Sequence, residues 1–252
     1  MFKVADIHFA LPTRGLLHFC YDIGNKFGGK EMATETLSFS TAKGDTTAYV
    51  AKPDGDASKA VVLIQEWWGV NEHIKDIARR YADEGFLAIT PDLYRGRVAT
   101  NPTEAGEMMK ALAVDDGIDI IANAISAATA EFGNSHFGIT GYCMGGTFSL
   151  RAACVLEGFS AAVPFYGDIP EEETLSKLRT PTIFISGTKD GWINTEKVAT
   201  LEDITARYEL PLQSVKYEAD HAFFNDTRPE VYNATAAADA WAMAVAFFKE
   251  KL

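Results

Sequence analysis

Residues 136–148, HFGITGYCMGGTF, decide how this chain is read. An apolar, strand-like run (136–142) meets a helix-like run (145–158) at Gly141-Tyr142-Cys143-Met144-Gly145-Gly146. The pattern G-x-C-x-G between a strand and a helix is a nucleophile elbow, with cysteine where serine is commoner. The turn is tight, and side chains at the flanking positions would strike neighbouring backbone, so glycine stands there. The positive end of the following helix favours a thiolate on Cys143. The backbone N–H of Met144 points to where an oxyanion would form. A dinucleotide fingerprint does not fit, because Cys143 takes the place of its second glycine. A phosphate-binding loop does not fit either, lacking G-K-[ST].

Working outward, the chain alternates strand and helix. TLSFS (36–40) and TTAYVAK (46–52) predict a hairpin about KGD. AVVLIQE (60–66), FLAITPDL (86–93), AAVPFYG (161–167) and TPTIFISG (180–187) are apolar runs of the kind buried on both faces. SVKYEA (214–219) is a further strand. Helices are expected over 73–85, 101–114, 115–133, 145–158, 195–209 and 229–252. About eight strands with interleaved helices predict an α/β fold, a mostly parallel eight-stranded sheet covered on both faces. Ligands then sit beyond the carboxyl ends of the strands. Residues 1–31 read differently: GNKFGGK (24–30) resembles a joint, and a fresh domain begins at Met32. The expected organisation is an N-terminal extension over 1–31 and one domain over 32–252.

An elbow of this kind needs an acid and then a histidine after later strands. Asp190 follows TPTIFISG in GTKDGW, and His221 follows SVKYEA in EADHAFFN. His73 and His136 lie at the wrong ends of their elements, and His8 and His18 lie in the extension. Asp190 would hold the His221 tautomer and stabilise its imidazolium. Glu66 closes the strand 60–66, where an unpaired carboxylate is costly; it either faces the thiol or pairs with Arg79, Arg80 or Arg95. The loop after that strand supplies a second oxyanion donor, with the Trp67 N–H as candidate. Trp67, Trp68, Tyr94, Phe223 and Trp192 are candidate pocket walls. Cys154 reads as an ordinary buried thiol inside a helix, and Glu171–Glu173 as a solvated helix start.

Net charge is −12, from 35 acids against 23 bases. Such a surface repels phosphate backbones and anionic lipid, so neither nucleic acid nor membrane is an expected partner. Three cysteines without a C-x-x-C exclude a disulfide framework and a zinc ribbon, and point to a reducing, cytoplasmic setting. No run of 18 apolar residues is present.

The segments QEWWG (65–69), PDLYRG (91–96), GYCMGG (141–146), SGTKD (186–190) and HAFFNDTRP (221–229) together resemble the dienelactone hydrolase family, a branch of the α/β-hydrolases. The resemblance implies a Cys143–His221–Asp190 triad. It implies that Glu66 pairs with the cysteine at rest and controls thiolate formation when substrate binds. It also implies hydrolysis of dienelactone (carboxymethylenebutenolide) or a related small lactone or ester, through an acyl thioester, with no metal and no organic cofactor. The best-known members hold a substrate carboxylate with two arginines. Here Arg95 or Arg97 would supply the first, while Asn225 occupies the second position and Arg228 follows. A monomer is expected. The alternatives are a broad carboxylesterase and a non-catalytic thiol sensor or binding protein.

Overall fold

A strand covered on both faces has no polar side to show, and Ala60–Ile64 (β3) is apolar and buried at every position. Its side chains alternate between two cores. Val62 and Ile64 join Ile120, Ile121, Phe148 and Leu201 on one face of the sheet. Val61 and Leu63 join Ile74, Ile77, Tyr81, Ala240 and Phe248 on the other. Period-two geometry therefore turns one continuous apolar run into two faces, each covered by helices.

The computed structural model describes residues 33–252; the extension expected over 1–31 lies outside the described residues. The strands are β1 (Thr34–Thr41), β2 (Gly44–Ala51), β3, β4 (Leu87–Pro91), β5 (Phe137–Tyr142), β6 (Phe159–Phe165), β7 (Thr182–Gly187) and β8 (Leu212–Tyr217). The helices are α1 (Glu72–Asp83), α2 (Pro102–Ala111), α3 (Val114–Phe132), α4 (Met144–Val155), α5 (Glu172–Leu175), α6 (Thr195–Arg207) and α7 (Ala234–Lys251). The sheet order is β1-β2-β4-β3-β5-β6-β7-β8. The β1–β2 and β2–β4 pairs are antiparallel and the rest parallel. Among the described residues no helix is long and apolar enough to cross a membrane.

Asparagines start four of the helices. Asn71, Asn101, Asn194 and Asn233 each accept a hydrogen bond from a backbone N–H three residues on. Such caps are worth about 1 kcal/mol each. The last one corrects the expected start of the closing helix, which begins at Ala234 and not near 229 because Asn233 caps it there. The three glutamates open the single-turn α5, where Glu171 pairs with Arg151 and Glu172 with Arg207.

The order of strands fixes where a site can form. After β4 the chain crosses back over β3 to lay β5 on its other side, so the direction of winding reverses between β3 and β5. A crevice opens at the carboxyl ends of two such strands. Ile64 pairs with Gly141 in the β3–β5 register. Two residues beyond each lie Glu66 and Cys143.

Candidate active site

Cys143 adopts φ 57°, ψ −116°, a conformation that side-chain-bearing residues rarely hold. Close packing enforces it. A Cβ on Gly145 would run into the carbonyl oxygen of Ile64, and one on Gly146 into that of Phe165. The backbone after Cys143 is thus wedged between the ends of β3 and β6. Cys143 N–H donates to Phe165 O at 3.1 Å, and Thr147 N–H to Cys143 O at 3.1 Å, which starts α4.

His221 lies in the loop after β8. Its Nδ1 is 2.6 Å from Asp190 Oδ2, and its Nε2 is buried with no hydrogen-bond partner among the described residues. Asp190 Oδ1 accepts the N–H groups of Trp192 (2.7 Å) and Ile193 (2.9 Å), so the carboxylate is fixed by its own turn. Burial opposes its charge, but the hydrogen bond and charge of His221 and those two N–H groups outweigh burial and hold its pKa below the usual carboxylate value. The imidazole packs against Tyr166 (ring centroids 5.1 Å) and Trp192 (5.3 Å).

The thiol differs from the sequence expectation. Cys143 is 7% exposed. Burial and then the Glu66 carboxylate push its pKa well up, against the pull of the Met144 N–H and, more weakly, Arg228. The helix end alone does not make a thiolate here, because desolvation is the larger effect. Glu66 itself is 2% exposed, and burial raises its pKa to about 7, with Asn225 and Arg228 acting the other way. None of the arginines offered as partners reaches it. Arg79 and Arg80 bind Asp76, with Arg80 also on Asp226, and Arg95 binds Asp116. The Glu66 carboxyl instead accepts a hydrogen bond from Asn225 Nδ2 at 2.8 Å.

The other predicted residues divide. Trp67 and Trp68 meet edge-on at 5.1 Å, half-buried, in the loop after β3. The Tyr94 hydroxyl lies 3.1 Å from Met144 Sδ, beside the elbow. Phe223 does not line a pocket. It is fully buried and packs between Tyr166 and Tyr217, because the positive φ of Ala222 (62°) turns the chain inward just after His221. Arg95 has φ 52° and reaches Asp116 with two hydrogen bonds (2.9 and 2.7 Å) and Thr41 with a third, which pins the β1–β2 hairpin to α3. Arg97 is exposed, 4.0 Å from Glu104, and Arg228 binds Glu230 at 2.8 Å. Asn225, expected among the substrate-binding residues, gives its amide nitrogen to Glu66.

Sequence reasoning missed Tyr166 and Gln65. Tyr166 directly follows β6 with φ 37°, fully buried, its ring edge-on to His221. The only signal was its position in the loop beyond a buried strand. Gln65 Oε1 accepts the Leu93 N–H at 3.2 Å and ties the end of β3 to the loop after β4.

The dienelactone hydrolase family model matches residues 46–252. "Protein usf" of Aquifex pyrophilus is 34% identical over 218 residues, which cover 81% of this chain and 93% of that protein. A protein of Aquifex aeolicus named "Putative carboxymethylenebutenolidase" is 35% identical over 216 residues, with the same coverage. The crystal structure titled "Putative Dienelactone Hydrolase" from Klebsiella pneumoniae superposes with a TM-score of 0.80 at 30% identity, covering 87% of this chain and 99% of that one. With the elbow, the sheet order and these matches together, the chain belongs to the dienelactone hydrolase family of α/β-hydrolases.

Proposed function

We propose that this chain hydrolyses a small lactone or carboxylic ester through Cys143, His221 and Asp190. The observation that carries the reading is the His221 ring. One nitrogen is committed to Asp190 at 2.6 Å, and the other is buried without a partner among the described residues. The Cys143 sulfur attacks the carbonyl carbon as its proton passes to the Glu66 carboxylate. The oxyanion is held by the N–H groups of Met144 and Trp67, each such donor being worth about 2.7–4 kcal/mol. That proton, carried by His221, goes to the leaving alkoxide, and an acyl thioester remains on Cys143. Water, deprotonated by His221, then releases the acid and restores the thiol.

A thiol sensor suits these groups less well. Sensors work through an exposed, low-pKa thiolate, whereas burial and Glu66 push this thiol up. The free thiols of Cys143 and Cys154 support the reducing, cytoplasmic setting.

Within the hydrolase reading, the arginine pairs favour an uncharged ester over the dienelactone carboxylate, and so a broader carboxylesterase. Arg95 and Arg228 each have a carboxylate within 2.8 Å, and Arg97 points to solvent beside Glu104. The test is kcat/KM for dienelactone against an uncharged aryl ester of similar size, with Cys143→Ala as the blank. The uncharged ester is expected to be preferred. A preference of about 100-fold for dienelactone, roughly 2.7 kcal/mol, would restore the anion clamp. No rate above the blank on either substrate would count against the hydrolase reading itself.

A further inference from the structure

The loop that carries His221 also reaches the group beside the nucleophile. Asn225 is 2% exposed, and its two amide ends have separate tasks. Oδ1 accepts the Thr227 backbone N–H at 3.0 Å and the Thr227 hydroxyl at 2.6 Å. The backbone N–H can only donate, which settles the orientation of the amide: oxygen toward Thr227, nitrogen toward Glu66. Nδ2 then donates to Glu66 Oε2 at 2.8 Å. The backbone is tied as well. Asn225 N–H donates to Ala222 O at 2.9 Å and Arg228 N–H to Asn225 O at 3.1 Å, which makes residues 222–228 a pair of turns directly after His221.

We infer that Asn225 is a positioning residue, holding the Glu66 carboxyl beside the Cys143 thiol and coupling it to the loop of His221. A carboxyl group at the floor of a cleft with one oxygen held can present the other oxygen to one neighbour only. An amide donates whether the carboxyl is charged or neutral, so it fixes direction without forcing ionisation, which an arginine at the same place would do. The ionisable groups facing Glu66 are the Cys143 thiol from the elbow, the Tyr166 hydroxyl from the end of β6 and the Arg228 guanidinium from the same loop as Asn225. Two of them are neutral acids, so Glu66 is the group among them that titrates near neutrality, at about 7. Once ionised, Glu66 can accept the thiol's proton as the new bond to sulfur forms, so the thiol need not ionise beforehand.

The inference depends on the thiol chemistry of Cys143 and not on which ester is cleaved, so its test uses no ester. The rate of Cys143 alkylation by iodoacetamide, read by peptide mass and kept apart from the other cysteines, is followed from pH 5 to 9. The wild-type acid limb is expected near pH 7. In Asn225→Asp a second carboxyl replaces the donor, and the limb is expected to move up by about 1, roughly a tenfold slower reaction at pH 6. Thr227→Val leaves the Asn225–Glu66 contact in place but removes one of the two locks on the amide. It is expected to move the limb the same way by less. Should Asn225→Asp fail to fold, the direction of the Thr227→Val shift decides alone. A loss of rate by one factor at every pH, with the limb unmoved, would mean that Asn225 only ties the loop down. Variants indistinguishable from wild type, or a Cys143 that does not alkylate at any pH, would overturn the inference as well. Ester hydrolysis could be absent and the shift still be seen, so this inference and the hydrolase reading fail separately.

Discussion

His221 Nδ1 and Asp190 Oδ2 stand 2.6 Å apart, and the other Asp190 oxygen is held by two backbone N–H groups of its own turn. The carboxylate therefore cannot rotate to offer a different atom. This fixes the proton on Nδ1 and leaves Nε2 as the basic nitrogen. Asp190→Asn puts an amide where the acceptor stood and favours the wrong tautomer. A fall in kcat of about 10⁴ is expected, with KM little changed. Steady-state kinetics on any ester that the wild type turns over checks it; a loss under tenfold would remove Asp190 from the proposed triad.

Gly145 is a place where the elbow has no room for a side chain. A methyl group there would overlap the carbonyl oxygens of Ile64 and Gln65, which are backbone and cannot swing away. Gly145→Ala should cost at least about 1–3 kcal/mol in urea unfolding. It should also lower kcat, because the strain falls on the peptide carrying the Met144 N–H.

Glu66 makes stability depend on pH with a definite sign. Folding raises its pKa from 4.5 to about 7, so the folded chain holds this proton more tightly than the unfolded chain. The contribution is complete below pH 4.5 and is lost as pH rises through 7, by up to about 3 kcal/mol. Glu66→Gln cannot ionise and should not show that loss. Urea midpoints at pH 5 and pH 8 are expected to differ less in the variant than in the wild type.

Arg95 and Asp116 form a two-pronged pair that joins the hairpin end to α3. Asp116→Ala should destabilise by about 1–3 kcal/mol, since it leaves a half-buried guanidinium without its acceptor. kcat/KM for an uncharged ester should stay within about twofold, well under 1 kcal/mol. If Arg95 were a substrate clamp, Arg95→Ala would instead raise KM for a carboxylate-bearing substrate and leave the urea midpoint where it was.

The legible parts of the sequence were those set by local rules. The apolar runs at 60–64 and 137–142 and the glycines around Cys143 each follow from burial or turn geometry within a few residues, and Asp190 and His221 were found from the order in which an elbow's partners follow it. Contacts made across the fold were hidden. Nothing in the sequence says that β4 lies between β2 and β3, or that Asn225 meets Glu66 across 159 positions. Phe223 was misplaced because HAFF reads as an aromatic wall until the left-handed turn at Ala222 sends its ring into the core. Arg95 was misplaced in the same way: its positive φ aims the guanidinium at the hairpin, and no local pattern announces that.

The packing at Gly145 and Gly146 also limits how Cys143 can move. The strand ends on either side of the elbow act as a vice, so the main chain at Cys143 has no slack to shift toward a substrate. Any change in where the sulfur points is then a rotation about a single bond, Cα–Cβ, among three staggered wells. Reorientation of that kind belongs to the picosecond-to-nanosecond range when a side chain is unhindered. The slow variables of this site are accordingly the location of a proton and the entry of a substrate, not a rearrangement of the fold.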